Sequence, residues 1–345
     1  MMRKEKNVLN VRSTEIFNDA TKKKASKKMK FFACQLAIVM MLTFVLSGCS
    51  KTQESESNNT QTESSINLPS KDMAGNEIKL PEKIDKVISL TPSTTQVIDS
   101  LGLKDKLVAV DNQSPLYVEG LKDVTQFDMM NLDTEKLLSL QSQVMFVSDI
   151  AVFNQNDIMS KLKESGVVVV QIPTEKTIKE IENDIAFVAS CFGEKAKGDE
   201  IVSNMQKDIE EIKKIGDTIK DKKTVLFEIA SLPNIYSFGK DVFLNEMIDI
   251  IGAENVLGDQ TGWLPVEEEA AVKSNPDVIL TNVTYNADAV KEILERKGWE
   301  NVTAVKNKAV YFIDNGASSL PNQNIVKALK EMAKAVYPDE YKDIK

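Results

Sequence analysis

Residues 193–222 read GEKAKGDEIVSNMQKDIEEIKKIGDTIKDK. Apolar side chains recur at Ile201, Met205, Ile209, Ile212 and Ile215, a three-and-four spacing that places them on one face of a helix. Taken with the residues before it, the stretch predicts helix throughout 175–220. What flanks it decides the fold. Upstream, DKVISLTPS (85–93), KLVAVD (106–111), VMFVSD (144–149) and VVVVQIP (167–173) are short apolar runs ending in turn residues. Helical spacings separate them in TTQVIDSLGL (94–103), NLDTEKLLSL (131–140) and NDIMSKLKESG (156–166). Downstream the order restarts with KTVLFEIASLPN (223–234), VFLNEMIDIIG (242–252), DVILTN (277–282), KAVYFID (308–314) and the closing helix NIVKALKEMAKAVYP (324–338). Strands alternating with helices at this pitch predict βαβ units on mostly parallel sheets. The chain therefore reads as α/β, two similar lobes (71–190 and 223–345) joined by one long backbone helix (191–222). Three segment pairs fall in the same order in both halves: VIDSLG with MIDIIG, DTEKLLSLQSQVMFV with EEEAAVKSNPDVILT, and VVVVQIP with AVYFIDN.

Composition narrows the chemistry. The chain is 42% apolar and 28% charged, which suits one or two sizeable cores. It has no histidine, which removes the commonest general base and the commonest metal ligand, and no metal site is expected. Arginine occurs only at Arg3, Arg12 and Arg296, so bidentate forks for anions are scarce. Residues 49–345 hold 33 basic against 49 acidic side chains, a surface that would repel nucleic acid. An enzyme would need a base and a nucleophile in one cleft. Only carboxylates such as Asp128 and Asp149 are available, and no second carboxylate is visibly arranged with either.

The N-terminus has the layout of a secretory signal. Lysines (KKKASKKMK) precede an apolar run from Phe31 to Leu46, too short for a comfortable spanning helix, and small residues follow. The expectation is a signal peptide over 1–48, with Met29 as an alternative start that gives an ordinary leader. Residues 49–70 follow as a polar, aperiodic tether. Cys34 leaves with the signal and Cys49 lies at the cut, so Cys191 is left alone and no intrachain disulfide forms. Its apolar context, AFVASCFG, makes it a core residue.

The ending LSGC (46–49) resembles the lipobox of bacterial lipoproteins, in which Cys49 would be diacylated and anchored by two acyl chains. Two longer stretches, ISLTPSTTQVIDSLGLKDKLVAVD (88–111) and GAENVLGDQTGWLPVEEEAAVKSNPDVIL (252–280), are similar to the iron-complex and cobalamin substrate-binding proteins of ABC importers. The resemblance covers roughly residues 72–340. It implies a ligand held between two lobes, a small opening motion, and a receptor that is no enzyme. The expected receptor is a monomer at the outer face of the cytoplasmic membrane, delivering its ligand to permease subunits served by an ATPase. It also implies a glutamate on each lobe that meets permease arginines, here Glu135 and Glu269. Each lies seven residues before a matching position, Ser142 and Pro276, where Ser142 departs from the family's proline. An acid in a first helical turn also favours the helix dipole by about 0.3–1 kcal/mol, and that account suffices for Glu267 and Glu268.

Open α/β sheets bind ligands outside the carboxyl ends of their strands. N-lobe candidates are therefore Thr91, Pro92, Ser93 and Thr94, then Asn112, Gln113 and Ser114, then Phe127, Asp128, Met129 and Met130. C-lobe candidates are Ser231, Leu232, Tyr236, Trp263, Asn282, Thr284 and Asn315. Phe127 and Trp263 match positions where the cobalamin binders carry aromatics; Met129 and Met130 are core packing or a soft pocket wall. No cofactor is implied beyond cobalt or iron inside the ligand. With so little arginine, a bulky, weakly charged corrinoid fits best. A ferric siderophore or haem, or a sensor or adhesin lipoprotein of the same fold, stands as the alternative.

Overall fold

A computed structural model describes residues 68–153, 155–286 and 288–345. The expected signal peptide, Cys49 and the tether up to residue 67 lie outside the described residues. No helix among the described residues is long and apolar enough to cross a membrane.

The N-lobe is a five-stranded parallel sheet in the order β3-β2-β1-β4-β5, with β1 (Val87–Ser89), β2 (Leu107–Asp111), β3 (Thr125–Phe127), β4 (Val144–Ser148) and β5 (Val168–Ile172). Strands β1 and β4 are apolar almost throughout because both faces are covered, which is what continuous Val/Ile runs require. The helices are α1 (Pro92–Ser100), α2 (Thr134–Ser139), α3 (Asp149–Val152) and α4 (Asn156–Glu164).

Two helices lead out of this lobe, α5 (Ile178–Cys191) and α6 (Lys195–Gly216). The expected unbroken helix over 175–220 is interrupted here. Gly193 has φ +73°, and the amides of Gly193 and Glu194 close back onto the carbonyls of Ser190 and Ala189, so the chain reverses and α6 packs on α5. The periodic face read from the sequence is the buried one, with Met205 and Ile212 in the core. Two glycines let this helix press on both lobes. A Cβ on Gly198 would stand 2.4 Å from Ala189 Cβ of α5. One on Gly216 would stand 2.1 Å from the carbonyl oxygen of Ile250 in the C-lobe.

The C-lobe sheet is parallel in the order β11-β10-β6-β8, with β6 (Thr224–Glu228), β8 (Glu254–Asn255), β10 (Val278–Thr281) and β11 (Val310–Phe312). Its helices are α7 (Phe243–Ile250), α8 (Glu268–Ser274), α9 (Ala289–Leu294), α10 (Thr303–Lys306), α11 (Asn315–Ser319) and α12 (Ile325–Val336). The repeat seen in sequence is a repeat in space. The first strand of each half is central, the second lies on one side, and the strand after the acid-headed helix lies on the other. The equivalent residues Gln141 and Asn275, after α2 and α8, share the left-handed conformation at φ +52° and +47°. The halves differ at one edge. The N-lobe adds β3 beside β2, whereas the C-lobe has an antiparallel pair, β7 (Tyr236–Phe238) with β9 (Trp263–Pro265). Neither β3 nor this pair shows a periodic signal in the sequence.

One apolar core runs from the N-lobe through α5 and α6 into the C-lobe, and each lobe has a second core of its own. Cys191 is fully buried in the shared core. Bending one lobe against the other would shear that packing, so a stiff junction follows. Glu175, just before α5, is half-buried, and Asp184, within α5, is buried. Burial, then the neighbouring carboxyl of Glu175, pushes Asp184 up to about 9. On the C-lobe side, Glu246 accepts the amide of Ile178 at 2.8 Å.

Candidate functional site

The loops beyond the carboxyl ends of the two sheets meet each other. Tyr117, after β2, donates its hydroxyl to Asn315 Oδ1 at 3.1 Å and packs on Gly316, where a Cβ would lie 2.8 Å from its ring. Asn322 Nδ2 donates to Gln96 Oε1 at 2.6 Å, and Gln323 Nε2 donates to Ser100 Oγ at 2.6 Å, tying α1 to the loop before α12. The cleft floor is therefore made from strand ends of both lobes.

Each lobe anchors its floor on a buried acid at a strand end, and the two anchors differ. In the N-lobe, Asp111 accepts the amides of Gln113 and Ser114 at 2.8 and 2.9 Å and the Ser114 hydroxyl. Ser114 continues to Thr95, and Thr95 to Ser89, at 3.0 and 2.8 Å. Burial raises the Asp111 carboxyl against the pull of these bonds. In the C-lobe, Glu228 at the end of β6 takes a two-pronged bond from Arg296, with Nη1 and Nη2 at 2.8 and 2.9 Å. Arg296 also donates Nε to Glu292 at 2.9 Å and Nη2 to Ser231 Oγ at 3.2 Å. Burial raises Glu228. Glu292 is held below its ordinary value, because the bonds from Arg296 and Ser231 outweigh its desolvation. Burial opposes the Arg296 charge, but the two glutamates hold the guanidinium protonated more firmly than usual.

The sequence-named residues divide accordingly. Ser93 and Thr94 are buried in the first turn of α1, with Pro92 half-buried before them, and Thr91 Oγ1 meets Ser93 Oγ at 3.0 Å. Asn282 is buried and donates to Ser318 and Ser319 at 2.9 and 3.0 Å, while its carbonyl accepts Asn315 Nδ2 at 2.8 Å. Ser231 is buried in the arginine network. Phe127 is buried in the N-lobe core under Lys136, whose Nζ lies 4.8 Å from the ring centre, so its ring faces packing rather than solvent. Asn112, Gln113, Tyr236 and Trp263 are exposed, and Met129 and Asn315 are half-buried. Trp263 packs edge-on against Phe238 at 5.7 Å.

Side chains that sequence reasoning missed stand out at the same strand ends. Leu116 (72% exposed), Ile150 and Phe153 (67%) join Met130 in the N-lobe; Tyr285 (70%) and Phe312 do so in the C-lobe. The available signal was a large apolar residue in a strand-to-helix loop, as in SPLY, DIAVF and VTYN. A depression of about 320 Å³ lies between residues 283–290 and Phe312. A larger one, about 530 Å³, sits at the amino-end edge of the N-lobe between Lys79–Pro81, 138–143 and 165–168. It is remote from both floors, and Lys79 is its one charged residue. The three glutamates of α8 also separate. Glu267 and Glu269 are exposed, but Glu268 is half-buried and accepts the indole N–H of Trp299 at 3.0 Å. That bond adds to the helix-start electrostatics expected for Glu268. Glu135, in the first turn of α2, is exposed.

Residues 87–317 match the model of a family described as periplasmic binding protein. The chain belongs to the periplasmic binding protein family. An uncharacterized ABC transporter substrate-binding lipoprotein of Bacillus subtilis, YvrC, is 30% identical over 310 residues, covering 89% of this chain and 98% of its own. A vitamin B12-binding protein of Vibrio parahaemolyticus is 24% identical over 73% of this chain and 89% of its own. The solved structure of a possible iron-binding (periplasmic solute-binding) protein from Staphylococcus epidermidis superposes with a TM-score of 0.65 at 28% identity, over 74% of this chain and 99% of that one. As a periplasmic binding protein the chain has two parallel-sheet lobes, with the floors described above facing each other.

Proposed function

We propose that this periplasmic binding protein is the ligand-capturing receptor of an ABC importer. Lipidated Cys49 would hold it at the outer face of the cytoplasmic membrane, and its cleft would take a bulky, weakly charged chelate of the corrinoid type. One observation carries the ligand class. The facing strand ends expose several large apolar side chains among uncharged polar neighbours such as Asn112 and Gln113, while the only arginine among the described residues is closed into a buried pair with Glu228 and Glu292. An anionic chelate finds no guanidinium fork there, whereas a broad neutral face finds Leu116, Phe153, Tyr285 and Phe312. The importer role is supported by YvrC, which is named a substrate-binding lipoprotein of an ABC transporter, and the corrinoid by the vitamin B12-binding relative. The floors pair carboxylates with hydroxyls, amides and arginine, and bring no nucleophile to a base; binding rather than turnover is the reading.

Calorimetric titration of the full chain with cyanocobalamin, haemin and a ferric catecholate siderophore tests the ligand. Saturable micromolar or tighter binding of cobalamin, weakened in Tyr285→Ala, is expected. Siderophore binding with none of cobalamin moves the assignment to ferric chelates, in keeping with the Staphylococcus epidermidis neighbour, described as a possible iron-binding protein. Glu135→Lys with Glu269→Lys is expected to abolish uptake and spare binding, because the two exposed acids would register the permease. Uptake that survives the double reversal removes the docking assignment.

A further inference from the structure

The C-lobe contains a continuous chain of polar contacts between the first turn of α8 and the cleft. It starts at Glu268, next to the exposed Glu269. Glu268 Oε1 accepts the indole N–H of Trp299 at 3.0 Å. Trp299 is fully buried, and the Arg296 guanidinium carbon lies 4.6 Å from the centre of its ring. Arg296 is fixed by Glu228 and Glu292. Glu292 Oε2 in turn accepts the Ser231 hydroxyl at 2.8 Å, and the Ser231 amide donates to the Tyr285 hydroxyl at 2.7 Å. Tyr285 is the most exposed aromatic side chain of the C-lobe strand ends. The network joins three segments far apart in sequence: α8, the 296–299 turn and the 231–285 wall.

We propose that this chain couples the docking end of α8 to the ligand wall, with Trp299 and Arg296 as positioning residues that set where Tyr285 stands. The proposal rests on the cleft reading above. The physical reason is lack of slack. A guanidinium bonded on both edges and stacked on a buried indole has one arrangement in a low-dielectric site, so movement of either end must move the middle or break a buried bond. A cationic group presented by the permease at α8 competes with the indole for Glu268. Withdrawing that acceptor frees Trp299, loosens the stack under Arg296 and releases the Ser231–Tyr285 contact. Docking thereby weakens the grip on the ligand without a large closure, which the shared core disfavours.

The test has a ligand-free arm and a ligand arm. In the full chain labelled with ¹⁵N at its two tryptophans, Tyr285→Phe removes only the far hydroxyl. It is expected to shift the Trp299 indole resonance, whereas Thr284→Ala, next door but outside the chain of contacts, is not. A Trp299 resonance that ignores Tyr285→Phe overturns the coupling. In the ligand arm, Glu268→Gln is expected to change the dissociation constant for the probe that binds, cyanocobalamin or the ferric siderophore, by about 2- to 30-fold. Glu267→Gln, on the exposed neighbour, is expected to leave it unchanged; equal effects from both also overturn the coupling. If no probe binds, the cleft reading fails, and the Tyr285→Phe shift still decides whether the relay exists.

Discussion

In the N-lobe the acid at a strand end, Asp111, is held by two amides and one hydroxyl; in the C-lobe the acid at a strand end, Glu228, is held by a guanidinium. The two halves share strand order, helix order and even a left-handed residue after the acid-headed helix. They therefore show how one backbone plan tolerates two ways of burying a carboxylate. The N-lobe solution is local, since Asp111 and Ser114 are three residues apart. The C-lobe solution joins residues 68 apart and rigidifies the wall that carries Ser231 and Tyr285.

The largest expected effect separates these solutions. Arg296→Met strands Glu228 in the interior and should cost about 3–5 kcal/mol in urea unfolding. Asp111→Asn keeps an oxygen acceptor for the two amides and should cost about 1–2 kcal/mol. Equal costs would break the comparison.

On α5, buried Asp184 makes stability sensitive to pH. Folded Asp184 keeps its proton up to about 9, while an unfolded aspartate releases it near 3.8. The unfolded chain therefore binds fewer protons across that window, and stability falls as pH rises through it. The contribution is complete below the unfolded value and gone above about 9. Asp184→Asn should flatten the slope of unfolding free energy between pH 5 and 8, by at most about 1.4 kcal/mol per pH unit for one proton. An unchanged slope would show that the acid is not protonated in the fold.

The smallest effect sharpens the repeat itself. Gln141→Gly should stabilise the N-lobe by about 0.5–1 kcal/mol, because glutamine adopts φ +52° at a cost. Asn275→Gly should destabilise by about 1 kcal/mol, because Asn275 Oδ1 also accepts the Thr303 amide and hydroxyl at 2.8 and 3.1 Å. Thermal unfolding distinguishes the two signs; a shared sign would make the left-handed residue, not the cap, the whole story. The neighbouring positions differ too. Ser142, where the other half has Pro276, buries a hydroxyl with no partner among the described residues.

The amino-acid sequence by itself determined the α/β class, the repeated order of strands and helices, the buried face of α6 and the outer family, because these follow from periodicities of two and 3.6 residues and from contiguous motifs. It also named Glu135 and Glu269 as equivalent positions, since a repeat is readable in one dimension. Tertiary structure alone decided the break at Gly193, the edge strand β3 and the β7–β9 pair, whose short segments pair only because the sheets are already in place. It alone separated Glu268 from its neighbours, closed Arg296 against Glu228, buried Phe127 and left Leu116, Phe153 and Tyr285 facing outward. Those outcomes depend on which distant residues come within hydrogen-bonding or packing distance, and no local pattern encodes that distance.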